Sequence, residues 1–258
     1  MNTFEHKMLD ILLDLKQNHN VVGVKAEFES EGTSFEEATR LKNIVSKAGL
    51  DFTIKIGGCA AVKDMYEVNQ IGVNAIVAPM IETPYALKKF IQSKNLVFSK
   101  DNKNIKLYIN IETITGFINL VDIINSSDFE EISGIVLGRS DMSGSLNLTK
   151  QDVNSQEIFN MACKISSLMQ DRNKEFIIGG GVSALSIPFF KKIPYLSKFE
   201  TRKIIFDANS GIRNIDNGIT KAIDFELLWL KNKQEFYNKI IDEDSKRILM
   251  LETMNNIK

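Results

Sequence analysis

Residues 110–113 (NIET) and 138–143 (GRSDMS) carry the side chains with most to offer chemically. Each stretch sets one carboxylate, Glu112 or Asp141, at the C-terminal end of an apolar run that reads as a β-strand, residues 105–111 (IKLYINI) and 132–137 (ISGIVL). Parallel βα units deliver function at that end of their strands. Two acids brought there from neighbouring strands offer hard oxygen ligands to Mg²⁺ or Mn²⁺. The chemistry this points to is metal-assisted. The same spacing also suits ordinary polar strand ends or helix N-caps.

The elements that must position these acids alternate almost throughout. Residues 3–18 place Phe4, Met8, Ile11, Leu12 and Leu15 at helical spacing. A strand over 21–28 follows. Ser34 and Glu37 form a capping box that opens a helix, and Gly49 closes it. Strands are expected over 51–56, 75–81, 105–111, 132–137, 175–180 and 203–209. Helices lie between them, with Pro84 early in one of them, where proline is tolerated. Residues 99–104 read as a polar loop, and 184–202 as a short helix and a Pro-containing connection. The last 40 residues form one long helix or two, with Phe225, Leu228, Trp229, Phe236 and Ile240 on apolar faces. Seven strands alternating with helices argue for a parallel α/β fold, either a barrel or an open doubly wound sheet. One domain over 1–258 is expected, with helices at about 216–254 for packing or subunit contacts.

Bulk properties exclude several classes. With 43% apolar residues among 258, the chain can bury a full core, and its net charge of −1 gives no reason to expect a nucleic-acid or anionic-membrane binder. Cys59 and Cys163 are too few for a disulfide framework and are expected as buried free thiols. The N-terminus lacks a secretory pattern and no apolar run reaches membrane-spanning length, so a cytoplasmic location is expected.

Residues 72–83 (GVNAIVAPMIET), 110–120 (NIETITGFINL) and 134–146 (GIVLGRSDMSGSL) resemble, in order and spacing, three strand-end motifs of the HpcH/HpaI aldolase and citrate lyase β-subunit family. This family belongs to the phosphoenolpyruvate/pyruvate barrel superfamily. The resemblance implies a (β/α)8 TIM-type barrel with Glu112 and Asp141 as ligands of Mg²⁺ or Mn²⁺. It implies a metal-stabilised enolate of a small-molecule 2-oxo acid such as pyruvate or oxaloacetate. Backbone N–H groups at Ser140 and Asp141 would hold the substrate carboxylate, and Asn110 would lie near the keto group. A homo-oligomer, trimer or hexamer, is implied as well.

The chain departs from the family in ways that touch its chemistry. Lys55 stands where an Arg often binds substrate, and lysine lacks the bidentate fork. Glu29 falls near the place of a catalytic His, while His6 and His19 both precede the first strand. Arg139 stands where the family often has Pro, adding a cation beside Asp141. Glu29, Lys55 and Arg139 are therefore the candidate catalytic groups, with Lys55, Asn110, Arg139, Ser140 and Asp141 binding substrate. Glu27 shares a strand face with Glu29, although a solvated acidic loop fits equally. Glu82 and Thr83 read as a helix start with Pro84 at its first position. Residues 179–183 (GGGVS) are a tight turn or a phosphate cradle, and Asp207 is open as a further rim acid. The family's first strand has no counterpart ahead of the first helix, so the seven strands would be barrel strands 2 to 8.

The expected function is a divalent-metal-dependent carbon–carbon lyase or aldolase. Citrate-lyase-like cleavage of a CoA thioester, a non-catalytic metabolite-binding barrel and a metal-free phosphate-binding isomerase are the alternatives.

Overall fold

The computed structural model describes residues 1–98, 105–208, 215–237 and 242–256. The expected loop over 99–104, residue Ile240 and the side chain of Phe236 lie outside what is described. The strands are β1 (Val21–Glu27), β2 (Asp51–Lys55), β3 (Ala75–Ala78), β4 (Lys106–Ile111), β5 (Gly134–Gly138), β6 (Glu175–Gly179), β7 (Lys198–Glu200) and β8 (Ile204–Asp207). They close a single barrel in sequence order. The helices are α1 (Thr3–Asn18), α2 (Phe35–Ala48), α3 (Val62–Ile71), α4 (Pro84–Val97), α5 (Ile114–Ile118), α6 (Leu120–Ile124), α7 (Arg139–Ser145), α8 (Gln156–Asp171), α9 (Ile187–Phe190), α10 (Ile215–Asn232) and α11 (Asp242–Asn256).

Local signals in the sequence set most boundaries. Ser34 Oγ accepts from the Glu37 backbone N–H (3.3 Å) and Glu37 Oε2 accepts from that of Ser34 (2.8 Å), the reciprocal capping box that starts α2. Thr83 caps α4 by accepting from Ala86, with Pro84 next, as the helix-start reading of Glu82 and Thr83 requires. Between β4 and β5 the chain forms two short helices, α5 and α6, that meet at Asn119.

Strands β1 to β7 run parallel, whereas β8 runs antiparallel to both its neighbours, β7 and β1. The seven-strand expectation is thus corrected to eight. The unforeseen strand is β7, three residues within the stretch read as a connection. It turns back through residues 201–203 into β8, and β8 fills the gap that a first parallel strand would take. Stacked rings hold this hairpin: Phe199 lies 4.7 Å from Phe206 at 6° and 5.0 Å from Phe190. Because β8 is reversed, Asp207 pairs with Lys198 at the start of β7. It sits at the floor of the barrel and is not a rim acid.

Alternation along the strands divides the interior from the helix-facing core. Phe52, Ile54, Ile109, Ile111, Ile135, Leu137, Phe176 and Ile178 join the buried cluster under the helices. The intervening Ala75, Val77, Tyr108, Val136 and Ile177 form a separate small apolar belt inside the barrel. Above and below that belt the interior is polar. Helix α1 packs against α2 and α10, and its buried Glu5 takes both arms of Arg40 from α2 at 2.9 Å. Trp229 of α10 is almost fully buried and carries the Lys203 ammonium on its ring, so α10 belongs to the barrel's packing. No helix of the described residues is long and apolar enough to cross a membrane.

Candidate active site on the barrel rim

Glu112 projects from the C-terminal end of β4 and Asp141 from the first turn of α7, which starts directly after β5. The pairing of Ile111 with Leu137 sets Gly138 beside Glu112. A Cβ at position 138 would come 2.6 Å from Glu112 Oε2, so only glycine leaves the carboxylate its place. Desolvation together with the Glu112 charge pushes the Asp141 carboxyl above its ordinary value, although the residue remains exposed. Asn110 Nδ2 donates to Glu112 Oε2 (2.7 Å), and the Met80 backbone N–H donates to Glu112 Oε1 (3.0 Å). Asn110 Oδ1 is buried without a hydrogen-bond partner.

Lys55 ends β2 with its ammonium 2.7 Å from Glu29 and 3.6 Å from Glu112. Burial alone would lower its pKa. Glu112, Glu27 and the contact with Glu29 outweigh that and raise it, so Lys55 is a fixed cation. Strand β1 ends at Glu27, and Glu29 lies in the turn beyond it. Glu27 is opposite Lys55 across the β1–β2 pair and 3.1 Å from Lys25, which is 2.5 Å from Glu200. Burial opposes ionisation of Glu27, yet Lys25 and Lys55 hold it well below the ordinary carboxylate range. Glu31 continues this charged rim: it pairs with Arg202 (3.1 Å) and Lys203, tying the β7–β8 turn to the loop after β1.

The structure therefore brings Glu29, Lys55, Asn110, Glu112 and Asp141 together. Ser140 adjoins Asp141 in the first turn of α7, which has no side-chain cap. Arg139 goes elsewhere. Its side chain is fully buried, and each of its five N–H groups faces an acceptor of the protein. The expected catalytic and substrate-binding role for Arg139 is thus corrected: no donor remains for a ligand. The glycine turn serves packing. Gly180 has a left-handed φ of +76°, and a Cβ there would come 2.5 Å from the Ser140 backbone nitrogen. Cys59 and Cys163 are free and half-buried, more exposed than expected.

Sequence reasoning missed Lys25, Glu200 and Met80. Met80 holds a left-handed φ of +47°, uncommon outside glycine and asparagine, and this conformation presents its N–H to Glu112. The sequence carries no sign of that. The alternating inward positions of β1 did mark Lys25, which shares a face with Glu27.

The donor set fits a divalent cation. Carboxylates outnumber ammonium groups here, and Glu112 with Asp141 is a like-charge contact that a cation would relieve. Among the described residues no cluster of three His, Cys, Asp or Glu side chains converges in ligand geometry. Two protein carboxylates with the remaining ligands from substrate and water is the usual arrangement for Mg²⁺. The orphaned Asn110 oxygen beside Glu112 is a further polar group left open to such a ligand.

The HpcH/HpaI aldolase/citrate lyase family model matches residues 56–187, just over half the chain. No curated protein matches the sequence. Among solved structures, citrate synthase SbnG superposes with a TM-score of 0.61 at 15% identity, covering 84% of this chain and 89% of that one. An HpcH/HpaI aldolase from Desulfitobacterium hafniense gives 0.59 at 10% identity, with 76% and 82% covered. A family protein from Burkholderia cenocepacia gives 0.63 at 9%, with 76% and 83% covered. These likenesses extend the barrel fold over parts of the chain that the family model does not reach. With its motifs on the rim and its barrel closed, the chain belongs to the HpcH/HpaI aldolase/citrate lyase family, and its activity class is that of an aldolase or lyase.

Proposed function

We infer that this protein is a divalent-metal-dependent carbon–carbon lyase acting on a 2-oxo acid such as pyruvate or oxaloacetate. The observation that carries the reading is the delivery of two carboxylates, Glu112 after β4 and Asp141 in the first turn of α7, to one point of the rim beside the unpartnered Asn110 oxygen. Glu112 and Asp141 would hold Mg²⁺ or Mn²⁺. When bound, the cation would act as a Lewis acid toward the enolate oxygen that develops as a C–C bond breaks or forms.

The chain's own residues supply the rest. Lys55 presents a fixed positive charge beside Glu112, suited to an anionic substrate group. The uncapped N–H groups of Ser140 and Asp141 suit the substrate carboxylate. Asn110 offers its free oxygen to a hydrogen-bond donor or to the cation. Glu29 retains 26% exposure at its side chain and can exchange protons with substrate and water while Lys55 keeps it oriented. A homo-oligomer, trimer or hexamer, accompanies this reading and is checked by light scattering.

The test is release of pyruvate from a panel of 4-hydroxy-2-oxo acids and oxaloacetate. Activity should vanish in EDTA and return with Mg²⁺ or Mn²⁺. Both Glu112→Gln and Asp141→Asn should abolish it; full turnover in both variants, or indifference to EDTA, rejects the reading.

A further inference from the structure

Among the described residues, Arg139 is the largest buried cation with no carboxylate partner, and its contacts define what it does. Its Nε donates to the Gly179 carbonyl (3.2 Å). One terminal nitrogen donates to the Val153 carbonyl (3.4 Å) and to Asn154 Oδ1 (2.6 Å). The other donates to the Gly180 carbonyl (2.8 Å) and to Ser186 Oγ (3.3 Å). The guanidinium also lies 5.1 Å and 5.2 Å from the ring centres of Phe189 and Phe190. One side chain from the first residue of α7 thus collects the segment after α7, the turn after β6 and the helix that follows. Burial pulls its pKa down to about 9, which still leaves it charged at neutral pH.

The backbone of the same segment packs against the same turn. The Gly180 Cα lies so close to the Ser140 nitrogen that no side chain fits between them. Asp141 is therefore two residues from a group held by both its side chain and its backbone, and α7 is too short to hold its own orientation. We propose that Arg139 is a positioning residue: it fixes the β5–α7 junction, and through it the Asp141 carboxylate relative to Glu112. The planar five-donor fork is what the task needs, since lysine offers three donors and no plane to set against the phenyl rings. The consequence for a bound cation rests on the metal reading above; the clamp itself does not.

Two measurements separate these. Hydrogen exchange in chelator compares wild type with Arg139→Lys, Asn154→Ala and Ser186→Ala. Exchange should accelerate in peptides spanning 138–145 and 179–186, most in Arg139→Lys, and stay unchanged around Tyr108 and Glu175. Calorimetric titration with Mn²⁺ should then show affinity lowered about tenfold or more in Arg139→Lys, the scale typical for loss of a group that orients a metal ligand. Lys233→Met breaks a buried pair with Asp244 (2.8 Å) that shares no residue with the Arg139 contacts and serves as control: it should lower Tm and leave both measurements alone. If Arg139→Lys lowers Tm with exchange raised evenly over the chain, or with Mn²⁺ affinity within twofold of wild type, the proposal is overturned. Absence of Mn²⁺ binding in the wild type defeats the metal reading alone, and the local exchange pattern still decides the clamp.

Discussion

The two ends of this barrel both hold clustered charge, and they treat it in opposite ways. At the floor, Glu175 accepts from Lys106 (2.6 Å), from the Tyr108 hydroxyl (2.9 Å) and from Lys198. Lys106, Tyr108 and Lys198 line a cavity of about 30 Å³, room for only a water or two. Both carboxylate oxygens of Glu175 have their donors. At the rim, Glu112 and Asp141 face each other as like charges, and Asn110 Oδ1 has no partner at all. A satisfied charged network is consistent with structure, whereas two adjacent carboxylates and an orphaned polar atom on the rim ask for something else to complete them. Charge alone would have nominated both ends; satisfaction distinguishes them.

The contrast is broken most directly by swapping one carboxylate at each end for its amide. Glu112→Gln should cut kcat/KM by at least about a hundred-fold, the scale on which removal of one transition-state stabiliser acts, with little loss of stability. Glu175→Gln should do the reverse. It removes the negative charge and turns one of the two acceptor oxygens into a donor facing an ammonium group, at a cost of about 2 kcal/mol, discounted because Lys106 is half exposed and screened. That is a fall in Tm of roughly 5 °C for a chain of this length, with kcat/KM within about threefold of wild type. Steady-state kinetics and thermal melts on the two variants decide it. If Glu175→Gln lost activity without losing stability, the floor would be part of the site and the distinction drawn here would fail.

What could be read from the sequence follows from how local each signal is. Strands β1 to β6 are apolar runs bounded by polar or glycine-rich turns, and the reciprocal cap of Ser34 and Glu37 is written in four consecutive positions. Glu112 and Asp141 could be read because each closes its own strand–turn motif. Strand β7 could not: it is three residues long, and Lys198 and Glu200 face a charged interior, so it shows no apolar period. The reversal of β8 was equally hidden, because period-2 alternation is the same in either direction. Arg139 was misread for a different reason. A cation next to an acid in sequence suggests a cation next to a substrate in space, but Asn154, Ser186 and Phe189, which capture it, come from distant segments. The same holds for the floor, where Tyr108 meets partners from β6 and β7.

The smaller predictions turn on the sign of the shift at each end. Burial opposes ionisation of Glu175, but hydrogen bonds and charge from Lys106 and Lys198 more than offset it and depress its pKa below the ordinary 4.5. A depressed acid stabilises the fold above its unfolded pKa, and that contribution is lost as pH falls through the folded value. Asp141 is the opposite case. Its raised folded pKa means that its charge costs stability at neutral pH, and the cost disappears below the ordinary 3.8. In chelator, Asp141→Asn should therefore raise stability slightly at pH 7, an effect damped by solvent because Asp141 is exposed, while removing activity. The gain should shrink to nothing near pH 3.5. Over the same acid range the stability advantage of wild type over Glu175→Gln should shrink too, because both then lack the floor carboxylate. Denaturant melts of the two variants from pH 7 to pH 3.5 read both signs at once. An Asp141→Asn variant less stable than wild type at pH 7 would mean that the rim carboxylates are mutually satisfied, and the rim would then differ from the floor in position alone.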